Sequence, residues 1–233
     1  MSYNNVDDDF DYGLLQKDDP QTRMGFVRKV YGILTVQLGF TALCTATTMS
    51  SPTIQKALMD PGLLTFVVIT YFISIIALIC CGLDKKVPTN YILLAIFTGC
   101  VSYMVSVISC RYDPITVVEA AFLTASMTCA ITVYAATTKS DFTVCGPIMF
   151  IIGFVFAVAS IFSFLWGPTG RLVYACIGVI LFSFYLLIDT QMIIGGKNRK
   201  YKIDADSYIL ASVALYLDII NIFIYILQIL GDR

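Results

Sequence analysis

Seven times between residues 27 and 230 the chain runs apolar for some twenty residues. The runs are 27–49, 63–83, 89–109, 115–136, 144–165, 172–194 and 208–230, here called segments 1 to 7. At ~1.5 Å rise per residue, each is long enough as a helix to cross the ~30 Å hydrocarbon core of a bilayer. No water reaches the backbone there, so a spanning segment must satisfy its own N–H and C=O groups, and a helix does so. A barrel would need alternating strands of about ten residues, and these are absent. The fold class predicted is therefore an all-α membrane protein with seven transmembrane helices. Punctuation agrees: Pro52, Pro61, Pro88, Pro114, Gly167-Pro168 and Gly195-Gly196 all fall between the runs.

Two regions are expected: an acidic, disordered tail over residues 1–25 and a transmembrane domain over 26–233. The tail has no apolar core of the kind a cleaved signal carries, so insertion is expected to rely on segment 1. Within the tail, Asp11-Tyr12-Gly13-Leu14-Leu15 fits a DxxLL-type sorting pattern, although five-residue matches arise readily by chance. Only 13% of residues are charged, against roughly 25% in a soluble domain. Net charge is −1 and no basic tract is present, which argues against a nucleic-acid partner. The expected surroundings are the lipid bilayer. Lys and Arg are distributed unevenly: eleven lie in the tail and the even-numbered connections, and four lie in the others and at the C-terminus. By the positive-inside rule the N-terminus is cytosolic, and seven crossings put Arg233 in the lumen or outside.

Eight cysteines and no histidine are present. No CxxC occurs and no histidine can complete a zinc site, so the cysteines read as small apolar packing residues. Small residues at four-residue spacing, Ala42/Ala46, Ser102/Ser106 and Ala121/Ala125, let spanning helices approach closely.

Three acids interrupt the apolar runs: Glu119 in segment 4, Asp189 in segment 6 and Asp218 in segment 7. A centred Asp costs roughly 2.5–3.5 kcal/mol on insertion scales, and no Lys or Arg lies in the middle of any segment to offset it. Counting at ~1.5 Å per residue, Glu119 lies about 7 Å from the outer side, Asp189 a similar depth from the cytosolic side, and Asp218 about 15 Å in. Asn221 and Tyr225 share the helical face of Asp218, with Ala211 and Ala214 below, which suggests a polar cavity. An isolated buried acid can equally be structural glue; three without a cation favour a cation path. Glu119 and Asn221 are candidates for lining it. Oxygen ligands suit Ca2+ or H+, and Asp189 with Asp218 would hold Ca2+ only transiently, as a permeant ion with no resident cofactor. Two nearby carboxyls in low dielectric should share one proton, and with no histidine any pH sensing falls to them.

Four stretches carry a resemblance: "FVRKVYGILTVQLGFTA", "EAAFLTASMTCAITVYAATTKSDFT", "LIDTQMIIGGK" and "LASVALYLDIINIFIYILQIL". Together, over residues 25–231, the chain resembles the transmembrane Bax-inhibitor-motif family in its eukaryotic lifeguard branch. The resemblance implies six helices around a central C-terminal helix 7, pH-sensitive Ca2+ leak from internal stores, and protection from cell death. It also implies a paired aspartate between helices 6 and 7 as pH sensor and gate, which maps to Asp189 and Asp218. The expected location is the endoplasmic reticulum or Golgi, with Ca2+, H+ and apoptosis-related membrane proteins as partners. The other reading is an interaction protein that restrains apoptosis factors through helix packing without conducting ions. Enzymes are not favoured: a diacid could imitate an intramembrane aspartyl protease, but the motifs of such proteases are missing. A seven-helix receptor lacks a retinal-type lysine in segment 7.

Overall fold

The computed structural model describes residues 20–80, 82–162, 165–196 and 198–231. Eight α-helices run through these residues: α1 Pro20–Ser50, α2 Pro52–Leu58, α3 Pro61–Cys80, α4 Thr89–Ser109, α5 Pro114–Thr137, α6 Gly146–Ile161, α7 Pro168–Ile194 and α8 Tyr208–Gly231. Short 3-10 turns occupy Leu83–Lys85, Thr143–Cys145 and Ala205–Ser207. Seven helical spans are long and apolar enough to cross a membrane; α2, a seven-residue helix, links the first two of them.

Proline sets several of the boundaries. Helices α2, α3, α5 and α7 each begin on one, where the missing N–H costs nothing and the fixed φ suits the first turn. The first helix departs from the expected limits. Segment 1 is expected from residue 27, with disorder before it, but the helix already includes Pro20, the first described residue. Residues 20–25 are therefore helical, and the expected tail is helical at its end. The DxxLL-type pattern lies outside the described residues. At 31 residues α1 is about 46 Å long, so it projects beyond a ~30 Å core. Its first turns carry Arg23, Arg28 and Lys29 into the interfacial zone.

The C-terminal helix is the central one. In α8, 13 of 24 residues are buried, whereas α6 buries only Phe156. Helices α1, α4, α5 and α7 pack directly on α8. Helix α3 stands outside α4, with Tyr71 stacked on Phe97 at 5.5 Å between ring centroids. Helix α6 lies against α7 and reaches α8 through Phe156 and Tyr225. Outward faces of α3 and α6 carry Phe66, Phe72, Ile76, Phe150 and Phe154, all exposed on the bundle surface, as lipid-facing positions require. At Gly178 of α7, an added Cβ would sit 2.7 Å from the Tyr225 ring, so the missing side chain is what lets that ring lie flat on the helix.

Candidate functional site

Three consecutive side chains at the end of α7 face three different parts of the bundle. Asp189 points to α8, where its carboxyl group meets that of Asp218 within hydrogen-bonding reach. Thr190 is fully buried near the Tyr31 hydroxyl of α1, and neither oxygen has a hydrogen-bond partner. Gln191, also fully buried, accepts the Phe142 N–H at 2.9 Å and donates to the Ser140 carbonyl at 3.1 Å. The polar triplet inside an apolar run is thus a junction between α7, the core and the α5–α6 connection.

The contact between Asp189 and Asp218 resolves a mismatch in depth. Asp189 lies five residues before the end of α7, and Asp218 lies ten residues after the start of α8. If both helices stood near the membrane normal and began at one plane, the two acids would differ in depth by about 7 Å. They meet, so the two helices are offset along the normal or tilted against each other. The first turn of α8 is held by named groups. Asn90 Nδ2 donates to the Tyr208 hydroxyl at 3.3 Å and to the Asp84 carbonyl at 3.0 Å, and Lys29 lies over the Tyr208 ring at 5.4 Å.

Asp218 is buried, and its Oδ2 has no hydrogen-bond partner. Ionised carboxylates only accept, so a hydrogen bond between the two acids requires one proton on the pair. Tyr185, one turn before Asp189, lies close enough to both acids to feel their charge. Its hydroxyl donates to the Met149 carbonyl at 2.6 Å, in space left by Gly153, where any Cβ would collide with it.

Below the pair, two arginines close the helix ends. Arg23 donates to the carbonyls of Met192, Ile194 (3.4 Å) and Ile203 (2.6 Å). The Gly195 N–H completes the turn onto the Gln191 carbonyl at 2.9 Å. Gly195 needs to be glycine twice over: its φ is +67°, and a Cβ would stand 2.8 Å from Arg23 Nε. Arg199 does the same for α5, donating to the carbonyls of Ala135 (3.1 Å), Thr138 (2.8 Å) and Ser140. Asp141 beside it accepts from the Thr143 N–H and hydroxyl and from the Lys200 N–H. Partial desolvation would raise the Asp141 carboxyl, but those hydrogen bonds and the Arg199 charge outweigh it and hold the group below the usual range.

Residues 23–233, which contain all of these groups, match the family described as "Inhibitor of apoptosis-promoting Bax1". The chain belongs to that family. Protein lifeguard 3 of Homo sapiens is 33% identical over 235 residues, covering 98% of this chain and 74% of the relative. A BI1-like protein of Arabidopsis thaliana is 40% identical over 230 residues, covering 95% and 87%. Protein lifeguard 3 of Mus musculus is 32% identical over 225 residues, covering 93% and 72%.

The other candidate residues of this Bax-inhibitor-family chain are placed differently. Glu119 is exposed on the outward face of α5, between the buried Val117 and Ala120, and the structure does not bring it to the pair. Asn221 is half-buried and donates to the Leu217 carbonyl of its own helix at 2.7 Å. Tyr225, expected in a polar cavity, lies instead among the rings of Phe156, Tyr174 and Phe182. Among the described residues no group of three or more His, Cys, Asp or Glu side chains is placed to hold a metal.

A second buried polar feature escaped sequence reasoning. Gln37, Thr41 and Thr45 of α1 face Thr98, Ser102 and Ser106 of α4, partner for partner, at 3.0, 2.8 and 3.3 Å. The Tyr216 hydroxyl of α8 joins at Thr41, 2.7 Å away. The signal was in the text: each row repeats every four residues, the period of one helical face. Thr41 sits at the centre, bonded to two other helices. Thr41→Val should strand two buried hydroxyls and cost about 1–2 kcal/mol, read as a lower melting temperature in detergent, whereas Thr47→Val on the exposed face should change nothing measurable.

Proposed function

We propose that this protein is a passive Ca2+ leak of an intracellular membrane, regulated by the proton state of Asp189 and Asp218, and that in this way it moderates calcium stores and protects against cell death. The observation that carries the reading is the meeting of two carboxyl groups from successive helices, one of them on the central helix, with one buried oxygen left unpartnered. A shared proton ties α7 to α8. Loss of that proton leaves two like charges in contact, and at an effective dielectric of about 20 such a pair at ~4 Å repels by about 4 kcal/mol. That is enough to shift a two-state helix contact by roughly three orders of magnitude, and the separated carboxylates then present oxygen ligands to a passing cation. The family description supports the link to apoptosis. Liposomes holding the purified protein and a lumenal Ca2+ dye, assayed over a pH series, test the reading. Flux that rises with pH is expected, and vesicles no leakier than protein-free ones would leave the non-conducting interaction role as the better account.

Orientation is part of the proposal. The eleven-to-four distribution of Lys and Arg favours a cytosolic N-terminus and a lumenal C-terminus in the endoplasmic reticulum or Golgi. In sealed microsomes an N-terminal tag should be cleaved by added protease and a C-terminal tag protected. The opposite pattern would invert the chain.

A further inference from the structure

Helices α1 and α5 stand apart along a cleft of about 850 Å³, floored by Ile219, Ile220 and Phe223 of α8. The cleft runs along α1 from Leu38 to its last residue, Ser50, and along α5 from its first residue, Pro114, to Cys129. At ~1.5 Å per residue it is roughly 20 Å long. It therefore opens at the membrane face away from the N-terminus and reaches a little beyond the depth of one leaflet, about 15 Å. It also opens sideways: Ala42 and Ala46 on one wall and Ala121 and Ala125 on the other all reach the bundle surface. Two walls of small residues at four-residue spacing could close on each other directly, yet they are held apart.

Water is a poor occupant. Ordered water needs two to four polar partners, and the hydroxyls along this cleft are mostly spent. Thr41 and Thr45 bond Ser102 and Ser106, Thr124 bonds the Ala120 carbonyl, and Ser50 bonds the Ala46 carbonyl. Only Thr128 Oγ1 has no partner, and it is buried. Outside the mouth lies hydrocarbon. We infer that the cleft is a lipid site, taking an acyl chain of a phospholipid from the leaflet away from the N-terminus. Its floor includes the two residues that follow Asp218, so a bound chain presses on the central helix directly beneath the diacid turn. The inference does not depend on ion conduction.

Full-length protein in phosphatidylcholine vesicles, doped with a phosphatidylcholine bearing a photoactivatable diazirine on its acyl chain, gives the test. After irradiation and mass-spectrometric mapping, peptides holding Ala42, Ala46, Ala121 and Ala125 should be labelled several-fold above the lipid-facing Phe150 and Phe154 of α6. Ala121→Trp should remove the excess at the cleft and leave the α6 labelling unchanged; the wild-type map decides even if this variant folds poorly. Equal labelling at both places overturns the inference. So does rapid disulfide formation in bilayers between Ala42→Cys and Ala121→Cys, which would mean the walls meet, and so does cross-linking of cleft peptides to a second copy in place of lipid.

Discussion

Asp218→Asn is expected to leave Ca2+ flux low and nearly independent of pH, where the wild type should rise as pH rises. The side chain keeps its size, stays buried in α8, and now offers Asp189 an N–H at every pH. The contact between α7 and α8 therefore persists when the wild-type pair would have lost its proton. Asp189→Asn should do the same from the other side, because the proton belongs to the pair and neither residue owns it. The double variant should resemble each single one, since groups that act as a unit do not add. Glu119→Gln, on the outward face of α5, serves as the control and should keep the wild-type profile. Single variants that retain the wild-type pH profile, or effects that sum in the double variant, would reduce the diacid to a structural contact. A flat response only in Glu119→Gln would relocate the sensing group altogether.

The seven spans were legible because a bilayer imposes one length on every crossing helix, and prolines marked where several begin. The acids were legible as anomalies in apolar runs, but sequence did not say which way they faced. Glu119 turned out to sit at an exposed position between two buried ones, near the end of its span, where an acid can reach the interface. The meeting of Asp189 with Asp218 was obscured by the assumption that both helices start at one plane. The anchoring of Tyr208 by Asn90 and Lys29, which fixes the first turn of α8, comes from elements more than a hundred residues away. Basic residues carried a similar ambiguity. A sequence shows Arg23 and Arg199 only as interfacial positive charge, and the positive-inside rule counts each as one. Their work on carbonyls at two helix ends depends on connections whose paths no local pattern specifies.

Arg23→Ala is expected to destabilise the protein by about 2–4 kcal/mol, among the larger single-residue effects this bundle should show. The last carbonyls of a helix have no partner within it, and Arg23 supplies charged donors to those of Met192 and Ile194 while pinning the return of the chain at Ile203. Hydrogen bonds to charged groups contribute roughly 1.5–3 kcal/mol each, and three made by one guanidinium are not additive, which sets the range. At roughly 2–4 °C per kcal/mol for a chain of this size, the melting temperature should fall by about 5–15 °C. Arg23→Lys should recover little, because a point charge on a flexible stem cannot serve three carbonyls between Met192 and Ile203 as a planar fork does. Gly195→Ala attacks the same contact from the other partner: its Cβ would strike Arg23 Nε, and its positive φ would be strained besides. The two single variants should therefore lose similar stability, and their combination should lose less than the sum. Full additivity would show that Gly195 is constrained by its backbone alone and that Arg23 closes the end of α7 independently of it. The wild-type melting temperature in Arg23→Ala would show that water satisfies those carbonyls as well as the guanidinium does, and that the turn carrying Asp189 is held by Gln191 and the core.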